Sequence, residues 1–461
     1  MGPPDLVVVS NRGPLSFSTG ADGQQIATRG GGGLVSSLGP VVAGSGATWV
    51  AAAGPDTPHE VVEAEGFRVR PVPLDGERFR QYYDVVANAT LWFLHHDLFD
   101  LARRPHLDRR WRRAWDAFRE VNDAFAEVIA AEAGPDATVI VHDYHLPLVG
   151  RALARQRPDL RTAHFNHTPF CDPDALAVLP EDVAAELLDG LAGFGACGFH
   201  STRWSANFEA CCSAVLGRTP ATFVSPAAVD GEELARVAAT PECEADLAEL
   251  DALVGDRHLL VRVDRIELSK NLVRGFLAFD EMLHEHAQWR ERVVFGAFVY
   301  PSRETLPDYL AYRSEVEAVV ARVNRTWATP GWTPIVLDSS DRFTRSVAAL
   351  RRSDVLLVNP VRDGLNLVAK EGAVLNERDG TLVLSPQAGV WDELSGAALS
   401  VNPFDVAGTA EVLNRALAMD RAERAVRAKA LRTASEARTP AAWLDDHRAH
   451  ARPAPPEPPT G

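Results

Sequence analysis

Lysine is scarce in this chain, and no run of apolar residues approaches the roughly 20 that a membrane-crossing helix needs. The first shortage accompanies abundant Arg and Ala and reflects genome composition; the second excludes a membrane partner. No basic stretch precedes Asp5-Leu6-Val7-Val8-Val9-Ser10, a run too short for a signal peptide's apolar region and without a cleavage site. The expectation is a cytoplasmic protein. No CxxC pair occurs, and the cysteines (Cys171, Cys197, Cys211, Cys212, Cys243) are odd in number. Reduced thiols are therefore expected rather than disulfides or a zinc site. Positive charge is also short: the formal net charge of −16 argues against a nucleic-acid partner. A few arginines can still build a local pocket for a small anion. No glycine fingerprint directly follows the first strand, which excludes a nicotinamide oxidoreductase, and no solenoid repeat is present.

What is there is a soluble globular composition, 46% hydrophobic and 24% charged, over a length that favours two domains. Short β-branched runs alternate with longer helical patterns, which predicts α/β architecture with parallel sheets. Strands are expected at Leu6–Val9, Thr138–Val141 and Thr162–Phe165 in the first half. In the second half they are expected at Leu259–Val263, Val293–Val299, Ile335–Leu337, Val355–Val358, Thr381–Leu384 and Leu399–Val401. Trp111, Trp115, Phe118, Val121, Phe125 and Val128 recur at helical spacing, the stripe of a long core helix. A boundary is expected within Ser225–Glu242, giving domains 1–235 and 236–435. Residues 436–451 should form a helix packing back on the first domain, and the Pro-rich 452–461 a disordered tail.

Ligands of open α/β sheets bind beyond the carboxyl ends of the strands. There the sequence places Asn11-Arg12, His142-Asp143-Tyr144-His145, Asn166-His167, Asp264 through Lys270, Tyr300 through Arg303, and Asn359 through Asn366. Polar residues thus cluster at one end of the strands in both halves, as a cleft between two such domains requires. The glycine run Gly30-Gly31-Gly32-Gly33 precedes a helix-like segment and suits either a phosphate approach or a flexible loop. Arg265 and Lys270 flank a turn and either neutralise a diphosphate or pair with Asp264 and Glu267 in a solvated turn. In Asp363-Gly364-Leu365-Asn366-Leu367, amides at a helix start can meet a phosphate or sugar. Asp363 can accept sugar hydroxyls or simply cap the helix, and Glu371 sits where its two acceptor oxygens could hold a ribose.

Together and in order, these segments resemble trehalose-6-phosphate synthases of the actinobacterial type. The likeness runs from Val7-Val8-Val9-Ser10-Asn11-Arg12 to Val401-Asn402-Pro403-Phe404-Asp405. The resemblance implies a retaining glycosyltransferase of GT-B fold, two Rossmann-like domains facing across a cleft, with the acceptor on the first and the donor on the second. It implies that Arg12, Tyr83 and Arg303 grip the phosphate of glucose 6-phosphate, while Trp49, Trp92 and Asp143 line the acceptor sugar. Gly33, Arg265 and Lys270 would hold the donor diphosphate, His167 and Asp363 the donor glucose. The amides of Gly364, Leu365, Asn366 and Leu367 would complete the donor cradle, and Glu371 would take the ribose. The catalytic set implied is Asp143, His167, Arg265, Lys270 and Asp363, with no metal and no cofactor, because the cations supply the charge.

The sequence departs from the better-known pattern at Ile266-Glu267-Leu268-Ser269-Lys270-Asn271, at Thr168 and Cys171, and at Asp338 through Phe343. In the last, Asp341 replaces an aromatic where the family holds the base. Guanine offers two adjacent N–H donors to one carboxylate, so GDP-glucose is expected over UDP-glucose, with Arg342 reaching the guanine carbonyl. Otherwise Asp341 caps the next helix and backbone groups read the base. Two other readings share the fold: a pseudo-glycosyltransferase that couples cyclitols, and a catalytically silent sugar-phosphate sensor. The sequence leaves the oligomeric state open, a homo-oligomer included.

Overall fold

The computed structural model describes residues 3–19, 25–30, 33–54, 57 and 60–455, which separate into two units. Unit 1 comprises residues up to Ala227 together with those from Pro440 onward, and unit 2 runs from Ala228 to Thr439. The expected division at 235/236 thus lies past the observed one, and the C-terminal helix Pro440–His450 belongs to unit 1.

The unit 1 sheet runs in the order Thr222–Val224, Ala196–Phe199, Arg161–Asn166, Thr138–His142, Leu6–Ser10, Thr48–Ala52, Phe67–Val72 and Val62–Ala64. All of these pairings are parallel except the last, an antiparallel edge. Strands buried on both faces read as continuous apolar runs, and Val7, Val8 and Val9 are fully buried. The tryptophan stripe forms a helix, Arg109–Glu132, whose Asp108 accepts from the amides of Arg110 and Trp111 at its start. Trp111, Trp115, Phe118, Val121 and Phe125 are buried, so the stripe is core.

The tail expectation needs correction. Arg452–Pro453 pairs antiparallel with Arg161–Thr162, where Gly195 lies so close that a Cβ would collide with the Arg452 carbonyl oxygen. Residues 456–461 fall outside the described residues.

In unit 2 an all-parallel sheet runs Ile335–Asp338, Val293–Pro301, His258–Ile266, Val355–Val358, Thr381–Leu384, Leu399–Ser400. The expected strand end at Val263 is too early. Pairing continues through Asp264↔Val299, Arg265↔Tyr300 and Ile266↔Pro301, so Asp264 and Arg265 are strand residues, with the turn after them. Each unit is thus a parallel sheet with crossover helices. Among the described residues no helix is long and apolar enough to cross a membrane, and all five cysteines are buried and free.

Candidate active site

Unit 1 presents side chains from the ends of adjacent parallel strands. Arg12 follows the first strand, and its Nη2 donates to the Tyr83 hydroxyl at 2.9 Å. Tyr83 is stacked between Phe79 and His145, with ring centroids 5.3 and 5.7 Å away. Two residues expected at one phosphate therefore already touch. Asp143 follows Thr138–His142 with φ 74, a left-handed conformation that a non-glycine residue adopts at a cost. Its Oδ1 accepts from the Tyr144 amide at 3.0 Å, and its Oδ2 lies 3.9 Å from His145 Nδ1. Trp92 is buried, its ring 3.9 Å from that of His96 and 5.7 Å from Tyr144.

Trp49 is a correction. It lies inside Thr48–Ala52, in register with Val8, with no exposed surface. Its indole donates to Ser10 Oγ at 2.8 Å and meets Phe67 edge-on. It is a core residue, and its place in mid-strand keeps it from a binding surface.

His167 follows Arg161–Asn166, with both ring nitrogens engaged: Nε2 lies 3.0 Å from His142 Nδ1 and Nδ1 lies 3.2 Å from His200 Nε2. Burial, then His447 and His164, press its pKa down to about 3, so the ring is neutral. Any new hydrogen-bond partner of His167 must therefore exchange with one of these bonds. Of the glycine run, Gly33 begins the helix Gly33–Val42 and the Gly30 amide donates to the Pro14 carbonyl at 2.8 Å. Gly31 and Gly32 lie outside the described residues.

In unit 2 the cations converge on carboxylates. Lys270 Nζ is 2.6 Å from Asp363 Oδ2 and 4.0 Å from Asp264 Oδ1. Burial opposes its charge, yet Asp363 and Asp264 outweigh burial and raise its pKa. Glu267, fully buried, gathers three donors on one oxygen: Ser302 Oγ at 2.9 Å, Arg303 Nη1 at 2.9 Å and Arg265 Nη1 at 3.0 Å. Burial pushes this carboxyl up, but Arg265, Arg303 and Lys270 pull harder and hold it at about 2. The Arg265 side chain keeps 40% of its surface exposed, whereas Arg303 keeps 9% and also donates to the Tyr309 hydroxyl at 2.8 Å. Arg303, expected with Arg12 on one phosphate, thus belongs to unit 2 and shares a counter-ion with Arg265.

The Asp363 segment departs from a simple cap. The N-cap of helix Leu367–Leu375 is Asn366, with φ 80, whose Oδ1 accepts from the Ala369 amide while its Nδ2 donates to Asp363 Oδ2. Asp363 is left to hold Lys270. Its backbone is fixed by the Gln387 carbonyl and the Gly389 amide, and the Leu365 carbonyl by the Val390 amide. Gly364 and Leu365 are buried, and Leu367 opens the helix. Glu371 lies in its second turn with no partner among the described residues, and burial alone raises its carboxyl to about 7.

Asp341 is exposed, and the next helix, Phe343–Arg352, has Arg342 as N-cap with no side-chain capping bond. The capping alternative for Asp341 is therefore removed. Arg342, its side chain half exposed, lies 3.0 Å from Asp246 Oδ1.

The sequence reading missed His200, because the strand before it, Ala196–Phe199, carries no β-branched residue. It also missed Trp443, which stands 5.9 Å from the His167 ring, and the central place of Glu267. The shared oxygen of Glu267 depends on where Ser302 and Arg303 fold, which local spacing does not reveal.

Two Rossmann-like units, carrying cations and carboxylates at their strand ends, define an α/β glycosyltransferase of the GT-B class. Within it the chain belongs to glycosyltransferase family 20, whose profile matches residues 4–451. It is similar to a trehalose-6-phosphate synthase of Mycobacterium sp. strain JLS, 34% identical over 94% of this chain and 92% of that one. It is also 32% identical to a bifunctional trehalose-6-phosphate synthase/phosphatase of Thermoproteus tenax, of whose length it spans 62%. An E. coli structure determined with UDP-2-fluoroglucose superposes with a TM-score of 0.84 at 29% identity, over 96% of this chain and 98% of that one. A Burkholderia xenovorans α,α-trehalose-phosphate synthase bound to glucose 6-phosphate matches with a TM-score of 0.84 at 29% identity, over 96% and 99%.

Proposed function

We propose that the chain transfers glucose from a nucleotide-glucose donor to glucose 6-phosphate, forming trehalose 6-phosphate with retention of the anomeric configuration. The observation that carries this reading is the pairing of Arg265 with Glu267 and of Lys270 with Asp363 at the strand ends of unit 2. Permanent cations in a desolvated setting stabilise the charge that develops on a departing diphosphate. The glucose C1–oxygen bond to the diphosphate breaks, the acceptor oxygen bonds to C1 on the same face, and its proton passes to the leaving phosphate oxygen. Glu371 takes the ribose hydroxyls, and Asp363 with the Gly364–Leu367 amides takes the donor glucose. Arg12 and Tyr83 take the acceptor phosphate, with Asp143 and Trp92 at its sugar. The relatives named for this reaction, and those whose structures hold a UDP-glucose analogue or glucose 6-phosphate, support the reading.

For the base we favour GDP-glucose over UDP-glucose. Asp341 is exposed and takes no part in capping, so its carboxylate is available to guanine's paired N–H donors. Arg342, paired with Asp246 yet half exposed, would donate to the guanine carbonyl. The test is turnover with glucose 6-phosphate and each of UDP-, GDP- and ADP-glucose, with the product identified. GDP-glucose is expected to exceed UDP-glucose by more than about tenfold in kcat/KM, and Asp341→Asn to narrow the gap. Equal efficiencies sink the base preference alone; no disaccharide phosphate from any donor sinks the reaction.

A further inference from the structure

The histidines around His167 form a chain with a direction. His142 ends the strand Thr138–His142, His167 follows Arg161–Asn166 and His200 follows Ala196–Phe199, so neighbouring parallel strands deliver three imidazoles in a row. Phe165 and Trp443 pack edge-on against His167, at 5.1 and 5.9 Å. Burial holds both His142 and His167 well below the ordinary imidazole range.

A neutral imidazole has one N–H and one bare nitrogen, and the partner of one fixes the state of the other. The Ala227 backbone N–H donates to His200 Nδ1 at 3.3 Å, so that nitrogen is bare and the proton of His200 lies on Nε2. His200 Nε2 faces His167 Nδ1 at 3.2 Å, which must accept. The proton of His167 is then on Nε2, facing His142 Nδ1 at 3.0 Å. His142 carries its own proton on Nε2, a buried atom with no partner among the described residues. The opposite direction fails at its origin, because His200 Nδ1–H would confront the Ala227 N–H, donor against donor.

We propose that His200, anchored by the Ala227 amide, is a positioning residue that fixes His167 as the Nε2–H tautomer. His167 then meets the donor sugar as a hydrogen-bond donor to an oxygen lone pair, and not as a proton acceptor. An incoming sugar oxygen takes the place of His142 Nδ1, exchanging one acceptor for another without moving a proton. The functional half of this inference rests on the proposed contact between His167 and the donor glucose; the tautomer does not.

The test is a long-range 1H–15N correlation spectrum of the full chain labelled with 15N-histidine, at neutral pH, combined with steady-state kinetics. In the wild type, His167 should show a bare Nδ1 and a protonated Nε2. His200→Phe should mix the two tautomers and weaken use of the nucleotide-glucose donor by about tenfold in kcat/KM, the value of one neutral hydrogen bond. His200→Gln, whose amide N–H replaces the lost donor, should restore both. A wild-type His167 protonated on Nδ1, or on both nitrogens, overturns the proposal without any variant having to fold. So does a tautomer unmoved in His200→Phe. The expected tautomer shift with unchanged donor kinetics overturns the positioning role and traces the failure to the glucose contact.

Discussion

Lys270 and Arg265 are already held by Asp363 and Glu267, so in the proposed reaction a donor diphosphate would share these cations instead of finding them free. Lys270→Ala and Arg265→Ala are expected to lower kcat by about 10²–10³ with the fold intact, as loss of a preorganised charge does. Circular dichroism and single-turnover rates check this, and near-normal rates would remove either residue from the donor site. Arg303→Ala should instead raise KM for glucose 6-phosphate about tenfold or more, the worth of a charge-assisted contact, with little change for the donor. Equal losses for both substrates would make Arg303 a support of Glu267. Glu371 gives a pH signature. Its folded carboxyl stands at about 7 against 4.5 ordinarily, so in that window the folded chain holds a proton the unfolded chain has released. Stability contributed by the protonated form is therefore lost as pH rises from about 4.5 to about 7. Glu371→Gln should flatten the urea midpoint across that window. Donor affinity should strengthen as Glu371 ionises, and calorimetry at about one pH unit on either side of its pKa checks it. Single-residue positions were legible where a polar residue follows a β-branched strand: Arg12, Asp143 and His167 do stand just past strand ends. They were illegible for Trp49, since an indole in a strand and one at a pocket look alike until register is known.

Strands themselves divide in the same way. Val355–Val358 and Thr381–Leu384 fall where the β-branched runs end, because a strand buried on both faces needs bulky apolar side chains throughout. Ala196–Phe199 escaped notice because its environment forbids bulk: a Cβ on Gly198 would collide with the Phe165 and Phe223 rings. Asn271 answers a similar constraint differently. It holds φ 61, a left-handed conformation that Asn tolerates. Its amide donates to the Asn359 and Pro403 carbonyls at 2.9 and 2.7 Å, bonds that a glycine could not make. Gly195 tests the terminal strand. Gly195→Ala should cost about 1–3 kcal/mol, since the Arg452 carbonyl must be displaced. Thermal unfolding should show that loss, and hydrogen exchange should place it at Arg161, Thr162 and Arg452. An unshifted melting temperature would mean that this pairing adds no stability.

At the scale of the molecule, unit 2 is one continuous stretch, whereas unit 1 is made of two pieces of sequence. Residues 440–455 carry Trp443, fully buried, whose indole donates to the Ser225 carbonyl at 2.9 Å, and His447, also fully buried. Vectorial synthesis meets these pieces in a fixed order. As the chain leaves the ribosome, the first 227 residues are exposed early, but the bed for Trp443 beside His142, His167 and His200 stays uncovered until the whole of unit 2 has followed. Domains fold as units during synthesis, so unit 2 can complete its sheet while unit 1 still waits for its last helix. The histidine row therefore acquires its dry aromatic wall only after all of unit 2 has been synthesised.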